Sequence, residues 1–268
     1  MHPVAFQIGG FTIYWYGILA AAGFLAGFWI AGRRALREGI RSEDIVDLAP
    51  WLLGGTIIGA RAWYVVYYWD SEFAGKPYWE VFMIRRSGLV FYGGLIGASL
   101  ATIVYTRLRK LPLWKIADIL APSIALGHGF GRVGCLMTGC CYGHPTSLPW
   151  AVHFPSEHWS RGEGVHPTQI YESILNLALF GGLSWFYPRK KFDGQVFGVY
   201  LVAYAVLRAF VELFRGDYTA LERVGSATPG QWVSGGILIA GLFLLWKLPA
   251  LSTASPNPKR CDEPKNGG

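Results

Sequence analysis

Residues 127–143 read GHGFGRVGCLMTGCCYG, and they continue an apolar run that starts near Ile116 and is long enough to cross a bilayer. His128 and Arg132 lie within this run. An arginine at the centre of a membrane helix costs roughly 2.5 to 3.5 kcal/mol on insertion scales, so an intramembrane cation indicates a functional site with an anionic partner. The stretch therefore predicts a membrane helix that carries part of such a site.

The composition indicates a membrane protein. Of the 268 residues, 52% are hydrophobic and 15% are charged, which is too apolar for an ordinary soluble domain. The apolar residues occur in runs near the twenty needed to span the hydrocarbon core. We predict an all-α polytopic membrane protein with about seven transmembrane helices. The predicted spans are 13–31, 46–69, 88–105, 116–137, 168–187, 196–214 and 230–248.

Basic residues predict how the spans are oriented. Most of the 24 lysines and arginines follow the first, third, fifth or seventh predicted span. Because positive charge collects in cytoplasmic loops, the amino end is expected outside and the carboxyl end in the cytoplasm. No lysine or arginine precedes Arg33, so we expect the first span to be retained rather than cleaved as a signal peptide. The same asymmetry explains the net charge of +7 without a nucleic-acid partner.

The chain is predicted to form one transmembrane catalytic domain over residues 1–250. A loop at 138–167 is expected outside and holds four of the six histidines. It is longer than a helix connection requires, which is typical of a binding loop or a lid. Residues 251–268 are polar and predict a disordered cytoplasmic tail.

Polar side chains within the predicted spans share one depth. With the orientation above, the following all fall in the outer half of the bilayer: Tyr16, Arg61, Tyr92, Arg132, Tyr171, Glu172, Tyr204, Arg208 and Glu212. Helical spacing also places His128, Arg132 and Cys135 on one face of their helix. This pattern favours a single site open toward the outer leaflet over scattered contacts between helices.

Two interpretations of the intramembrane charges stay open. Three arginines face two carboxylates, which leaves surplus positive charge: Arg61, Arg132 and Arg208 against Glu172 and Glu212. The arginines and carboxylates could neutralise one another on buried faces. Alternatively, the surplus charge binds a lipid phosphate, for which the planar guanidinium fork is well shaped.

Motifs along nearly the whole chain carry a resemblance to a known family. They are WYG at 15–17, GARAWYVVYY at 59–68, GLVFYGGLIG at 88–97, ADILAP at 117–122, GRVG at 131–134, HPTQIYE at 166–172 and YAVLRAFVELFRGD at 204–217. In this order and spacing the sequence resembles the prolipoprotein diacylglyceryl transferases of bacteria. Those enzymes move a diacylglyceryl group from phosphatidylglycerol to the lipobox cysteine thiol of a preprolipoprotein, the first step of lipoprotein maturation.

The resemblance implies partners, location and residue roles. The partners would be phosphatidylglycerol, a preprolipoprotein signal peptide and membrane lipids, and the site would face the outer leaflet of the bacterial cytoplasmic (inner) membrane. Arg132 and Arg208 would hold the phosphate as negative charge develops on it. Glu212 would orient an arginine, and Tyr16 and Tyr204 would contact the head group or the peptide.

Further residues are expected to bind lipid or substrate: Arg61, Gly93, Gly94, Gly143 and His166. For the glycines, close helix packing through small residues is an equally open interpretation. His166 stands before Pro167, so it also belongs to a typical helix start.

This chain departs from the usual family pattern at three positions, which makes it a divergent member with a GCCYG motif. Tyr92 stands where a histidine is common, Cys135 where an asparagine is common, and Cys140 where a glutamate is common. The changes leave the group that takes the thiol proton open. A tyrosine titrates near pH 10 and is a poor base, so we consider His128 alongside Tyr92, because a histidine titrates near neutral pH.

The cysteine spacing C-x4-C-C-x2-H lacks the C-x2-C pair of ordinary zinc sites, so no metal and no cofactor are expected. On an oxidising outer face, a disulfide from Cys135 to Cys140 or to Cys141 is the favoured interpretation. A covalent cysteine intermediate is also chemically allowed. Cys261 is expected to be a free thiol in the tail.

Two other classes of function compete with a lipid transferase. A membrane thiol oxidoreductase would use the cysteine cluster, and an anion or lipid transporter would use the outward site. Neither accounts for the ordered set of motifs.

Overall fold

A computed structural model of the chain describes residues 3–83, 88–216 and 228–253. The chain is mostly helical, with 71% of its residues in helices. The described residues form seven α-helices: α1 Trp15–Arg37, α2 Ser42–Tyr67, α3 Phe91–Leu108, α4 Leu113–Thr138, α5 Thr168–Phe186, α6 Gln195–Glu212 and α7 Pro229–Thr253. Three short helical turns lie at Trp69–Phe73, Tyr78–Phe82 and Tyr187–Arg189.

Five of the helices are long and apolar enough to cross a membrane: α1, α2, α4, α6 and the Gly230–Ala250 part of α7. The prediction of a helical membrane protein fits this finding. Helices α3 and α5 lie where the third and fifth spans were predicted but are not among the five. Helix α5 is less apolar than the five because it carries the polar residues Gln169, Glu172 and Asn176, which are buried. Seven spans and the orientation of the termini therefore stay predictions.

Two short antiparallel sheets were missed by the all-helical prediction. Strands β1 Val4–Ile8 and β2 Phe11–Tyr14 form a hairpin before α1. Its turn uses Gly9 and Gly10 at φ of +52° and +87°, a conformation that suits glycine. The predicted first span began at residue 13, which lies in β2. Strands β3 Val152–His153 and β4 Gly164–Val165 pair within the loop between α4 and α5.

The buried core joins the ends of α1, α3 and α5 to the starts of α2, α4 and α6. Its members include Ala31, Ala35, Ile45, Leu48, Tyr105, Ile116, Ile119, Leu183 and Val196. Helix α4 is the most buried of these five candidate membrane helices and packs against α1, α5 and α6. The candidate site residues come from the opposite helix ends, and their depth in the membrane stays a prediction.

Glycines bring α2 and α3 into close contact. A Cβ added at Gly93 would overlap the carbonyl oxygen of Gly59, and one at Gly94 would lie 3.1 Å from Cγ2 of Thr56. Only a residue without a side chain fits Gly93, because the neighbouring atom belongs to the backbone. Both glycines were predicted to bind lipid or substrate, and the structure places them in this helix interface.

A charged cluster ties three elements together at the core end of the bundle. Asp118 of α4 is buried and accepts backbone hydrogen bonds from Gly194 and Phe197, each 2.9 Å long, at the start of α6. A carboxylate is favourable there because a helix amino end carries partial positive charge. Lys190 Nζ lies 3.3 Å from Asp118 Oδ2 and 3.1 Å from Oε1 of Glu38, just after α1.

The tail prediction is largely outside the described residues, as is Cys261. Helix α7 continues to Thr253 and so enters the predicted tail.

Candidate functional site

Glu172 is the centre of a buried charged cluster between α4 and α5. Its side chain is 1% exposed. Oε2 lies 3.1 Å from Nε of Arg132, and Oε1 lies 3.3 Å from Nε2 of His128. Nε of Arg132 also donates a hydrogen bond of 3.2 Å to Nε2 of His128. In this arrangement Nε2 of the imidazole accepts from Arg132 and lies beside the carboxylate of Glu172.

Local packing sets the positions of these three groups. His128 and Arg132 are one helical turn apart on α4, so their side chains share a face. Ser173 of α5 donates a 2.9 Å hydrogen bond to the carbonyl oxygen of Gly129, which brings the first turns of α5 against α4. The carboxylate of Glu172 consequently faces both basic side chains.

A second arginine and carboxylate pair lies on α6. Arg208 and Glu212 are one turn apart and form an ion pair. Glu212 is 3% exposed and accepts a 2.7 Å hydrogen bond from the hydroxyl of Thr228, just before α7. Arg208 also interacts electrostatically with Glu172. Helical spacing predicted that each pair shares a face, and the interaction of Arg208 with Glu172 links the two pairs.

Two tyrosines complete the cluster. The ring of Tyr204 lies 5.3 Å from the His128 ring and stacks on Tyr200 at 5.7 Å. Tyr204 interacts electrostatically with Arg132 and with Tyr92. Tyr92 is the second residue of α3 and is 39% exposed, so it lies at the accessible edge of the cluster. The arginine, carboxylate, histidine and tyrosine side chains of this cluster come from four helices: α3, α4, α5 and α6.

The cysteines lie beside this cluster. Gly139 ends α4 in the left-handed conformation at φ +80° and turns the chain, so that Cys140 and Cys141 return toward Cys135. The three sulfur atoms lie within 4.8 Å of one another. All three thiols are free, so the favoured disulfide is not formed in this structure. Hydrogen bonds from the Cys135 and Cys141 thiols lower the pKa of the Cys140 thiol below its ordinary range.

A cleft of about 700 Å³ opens next to the cysteines. Its lining residues are Thr12, Ile13, Tyr14, Tyr16, Gly17, Cys135, Thr138 and Cys140. Tyr16 is half exposed and packs on α4, where a Cβ at Gly134 would lie 2.8 Å from its ring. The predicted substrate residue Tyr16 is thus on the accessible wall of a cleft that leads to the thiols.

Gly143 and His166 hold the loop between α4 and α5 to the end of α6. The backbone N–H of Gly143 donates to the carbonyl oxygen of His166 at 2.9 Å, and that of His144 donates to Phe214 at 2.9 Å. A Cβ at Gly143 would lie 2.6 Å from the Phe214 carbonyl oxygen. Nδ1 of His166 lies 3.2 Å from the hydroxyl of Tyr171. These contacts fix the loop rather than form part of the charged cluster.

Arg61 is engaged with the segment between α2 and α3. Its guanidinium donates to the carbonyl oxygens of Glu80, Val81 and Gly88 at 3.0, 2.7 and 3.3 Å. It also lies over the Phe73 ring at 5.4 Å. The structure therefore separates Arg61, like the two glycines of α3, from the arginine and carboxylate pairs.

Sequence reasoning missed the supports of the site. Thr228 holds Glu212, and Thr168 and Gln169 donate 2.6 Å hydrogen bonds to the carbonyl oxygens of Cys141 and Cys140. A signal for Thr228 exists: Oε1 of Gln231 accepts from its N–H at 3.1 Å, which is the reciprocal pattern of a helix amino-terminal capping box.

The comparisons with known proteins all indicate the same family. The family model described as "Prolipoprotein diacylglyceryl transferase" matches residues 3–247. The chain is similar to the phosphatidylglycerol–prolipoprotein diacylglyceryl transferase of Finegoldia magna, at 40% identity over 91% of this chain and 94% of that protein. It is also similar to the proteins of the same name from Clostridium tetani, at 34% identity over 91% and 96%, and from Geobacillus kaustophilus, at 37% over 90% and 90%.

Proposed function

This chain belongs to the prolipoprotein diacylglyceryl transferase family, and we infer from that membership that it transfers a diacylglyceryl group from phosphatidylglycerol to a prolipoprotein. The match covers nearly the whole chain, so the activity applies to the whole protein. The finer proposal is that the acceptor is the lipobox cysteine of a signal peptide. The site would open to the outer leaflet of a bacterial cytoplasmic membrane, in a bundle of seven spans with the amino end outside.

The observation that carries the catalytic proposal is the linked pair of arginines. Arg132 and Arg208 each have a buried carboxylate partner, and Glu172 interacts with both arginines. Arg132 makes its contacts to Glu172 and His128 through Nε. Among the described residues, neither terminal nitrogen of Arg132 donates a hydrogen bond, so both can bind a phosphate oxygen. The carboxylates fix the arginines in place before the lipid arrives.

The reaction that this arrangement suits is displacement at carbon. The cysteine sulfur attacks the glyceryl carbon that carries the phosphate oxygen, a C–S bond forms, and the C–O bond breaks. The electron pair stays on the oxygen of the departing glycerol phosphate, and the thiol proton goes to a base. Negative charge therefore grows on the phosphate, where Arg132 and Arg208 would stabilise it. Fixed donors in a water-poor site are usually the largest catalytic contribution.

His128 is our proposed base. In the structure its Nε2 accepts a hydrogen bond from Arg132. Nε2 would take the thiol proton in place of its hydrogen bond from Nε of Arg132, while the terminal nitrogens of Arg132 bind the phosphate. Glu172, at 3.3 Å, would then stabilise the protonated imidazole. Tyr92 is the competing candidate, since it interacts with Tyr204 at the edge of the same cluster.

The other predicted residues have positioning roles in this proposal. Tyr16 and Tyr204 would contact the head group or the peptide. Gly143 and His166 would hold the outer loop over the peptide, since their backbones already link it to α6. Arg61, Gly93 and Gly94 would shape the α2 and α3 side of the lipid path.

Complementation tests the proposal. A strain depleted of its own transferase should grow when it expresses this chain, and a lipobox peptide should gain the mass of one diacylglyceryl group. A matched peptide with serine in place of cysteine should gain nothing. Redox turnover without a lipidated product would favour the thiol oxidoreductase, and solute movement without loss of phosphatidylglycerol would favour the transporter.

A further inference from the structure

Cys135, Cys140 and Cys141 form a group that the proposed reaction leaves without a role. Among the described residues, it is the one group of three or more histidine, cysteine or acidic side chains whose ligand atoms could hold a metal ion together. The sulfur atoms lie within 4.8 Å of one another, and none of the three is in a disulfide.

The protein holds these thiols in place from two sides. Cys135 is on the last turn of α4, and the left-handed Gly139 turns the chain back toward it. Cys141 itself has a positive φ of 63°, a conformation that is uncommon for a side-chain-bearing residue. The hydrogen bonds from Thr168 and Gln169 to the carbonyl oxygens of Cys141 and Cys140 fix the turn from α5.

The geometry suits a thiophilic cation. In tetrahedral zinc sites the Zn–S bond is about 2.3 Å, which puts neighbouring sulfurs about 3.8 Å apart. The three sulfur atoms form a triangle with edges of up to 4.8 Å, so each would move inward by about 0.5 Å to reach the spacing of a zinc site. Side-chain rotation supplies such a movement. The sequence spacing argued against a metal because it lacks C-x2-C, but the turn at Gly139 brings the sulfurs together regardless.

Two neighbours shape the properties of this group. Arg132 interacts electrostatically with all three cysteines, so a cluster of thiolates beside it is not isolated negative charge. Cys135 and Cys140 also line the cleft that contains Tyr16. A metal on the three sulfurs would therefore have an accessible fourth position, which is the arrangement of catalytic rather than structural zinc sites.

We propose that Cys135, Cys140 and Cys141 bind Zn²⁺ as three thiolates, and that the fourth position takes the sulfur of the prolipoprotein cysteine. The second part rests on the proposed transferase function. The chemical class of the ligand is a thiol, because a soft sulfur donor completes a site that already has three.

Coordination would supply the nucleophile. A thiol bound to zinc loses its proton, and His128, two turns before Cys135 on α4, would receive it through intervening water. The bound thiolate attacks the glyceryl carbon, a C–S bond forms and the C–O bond to phosphate breaks. The electron pair leaves on the glycerol phosphate between Arg132 and Arg208. The zinc ion keeps its charge, and the neutral thioether is a weak ligand that can leave.

Metal binding is tested first, in detergent, on the full chain with Cys261→Ser to remove the thiol of the tail. After chelation, Cd²⁺ should bind at one equivalent and give a thiolate charge-transfer band, and Zn²⁺ should displace it. Cys135→Ser, Cys140→Ser and Cys141→Ser should each weaken binding at least tenfold. The Cys261→Ser parent is the matched control and should bind like the natural chain. No stoichiometric binding by that folded parent, or a disulfide among the three cysteines of the membrane-extracted protein, overturns the site.

The fourth position is tested with Co²⁺ and two peptides. A lipobox peptide with cysteine should change the visible spectrum of the Co²⁺-loaded protein, and the serine peptide should not. Zn²⁺ should restore transfer to the chelated protein, whereas Mg²⁺ should not. A metal-free protein at full activity overturns the proposal and leaves the transferase intact. A metal-loaded protein that lipidates no peptide counts against the proposed function instead.

Discussion

Arg132 of α4 and Glu172 of α5 face each other across a helix interface, with Nε 3.1 Å from Oε2. The carboxylate is 1% exposed and the arginine side chain 14%. A buried ion pair is costly to break from one side, because the remaining charge has no compensation. The pair therefore fixes the orientation of the guanidinium as well as contributing to the fold.

Glu172→Gln should test this relationship. The glutamine keeps the volume but removes the charge beside Arg132 and His128, so we expect a stability loss of about 3–5 kcal/mol and a fall in transfer rate. Glu43→Gln is the matched control, since Glu43 is exposed on α2. Thermal unfolding in detergent and peptide lipidation measure the two effects. Equal behaviour of the two variants would contradict the role of Glu172.

Arg132→Lys and Arg208→Lys should each reduce transfer roughly 10- to 1,000-fold, since lysine cannot form a two-pronged contact with phosphate. Arg107→Lys, at an exposed position near the end of α3, should retain activity. Lipidation rates of well-folded proteins at saturating peptide decide the matter. Wild-type rates in both active-site variants would show that the arginines do not clamp the phosphate.

Gly93→Ala should destabilise the α2 and α3 interface, because its Cβ would overlap the backbone of Gly59. Overpacking of this kind costs about 1–3 kcal/mol. At Gly54 of α2 a Cβ would meet nothing within 4 Å, so Gly54→Ala should be tolerated. Thermal unfolding separates packing from catalysis: a stable Gly93→Ala protein without activity would favour a direct role in the site.

The sequence predicted which side chains share a helix face better than it predicted contacts between helices. Helical spacing placed His128 with Arg132 and Arg208 with Glu212 on single faces, and the structure confirms both contacts. Such pairs depend on spacing within one helix. Contacts between helices depend on packing, and the engagement of Arg61 with loop carbonyl oxygens was therefore not foreseen.

The arrangement of the cysteines also depends on contacts between segments that are distant in the sequence. Their expected place on an oxidising outer face favoured a disulfide, whereas the structure has three neighbouring free thiols. The turn at Gly139 and the hydrogen bonds from Thr168 and Gln169 decide where the thiols lie. Those supports come from a helix 27 and 29 residues away in the chain, so a local motif could not reveal them.

The folded protein should lose stability in acid as the carboxylate of Glu38 becomes protonated. Burial opposes ionisation of its carboxyl, but the hydrogen bond and charge of Lys190 prevail and lower the pKa of Glu38. Because the folded-state pKa is depressed, this stability is present above the ordinary value of 4.5 and is lost as pH falls below it. Glu38→Gln should flatten the decline of melting temperature below that pH, whereas Glu43→Gln should not. An unchanged acid limb in Glu38→Gln would refute the assignment.

His128 is expected to be the base of the transfer reaction, and the pH dependence of the rate tests this role. If His128 takes the thiol proton, the transfer rate should fall on acidification, because protonation removes the Nε2 lone pair that accepts the hydrogen bond from Arg132. His128→Gln should then lower the rate and abolish this acid limb, while phosphatidylglycerol binding persists through the arginines. Tyr92→Phe should reduce the rate less and keep the limb. Tyr92 is 39% exposed at the edge of the cluster, so it can approach a substrate and is a fair rival. Rates measured across pH for both variants separate the two: an inactive Tyr92→Phe protein beside a His128→Gln protein with the wild-type profile would assign the proton to the tyrosine.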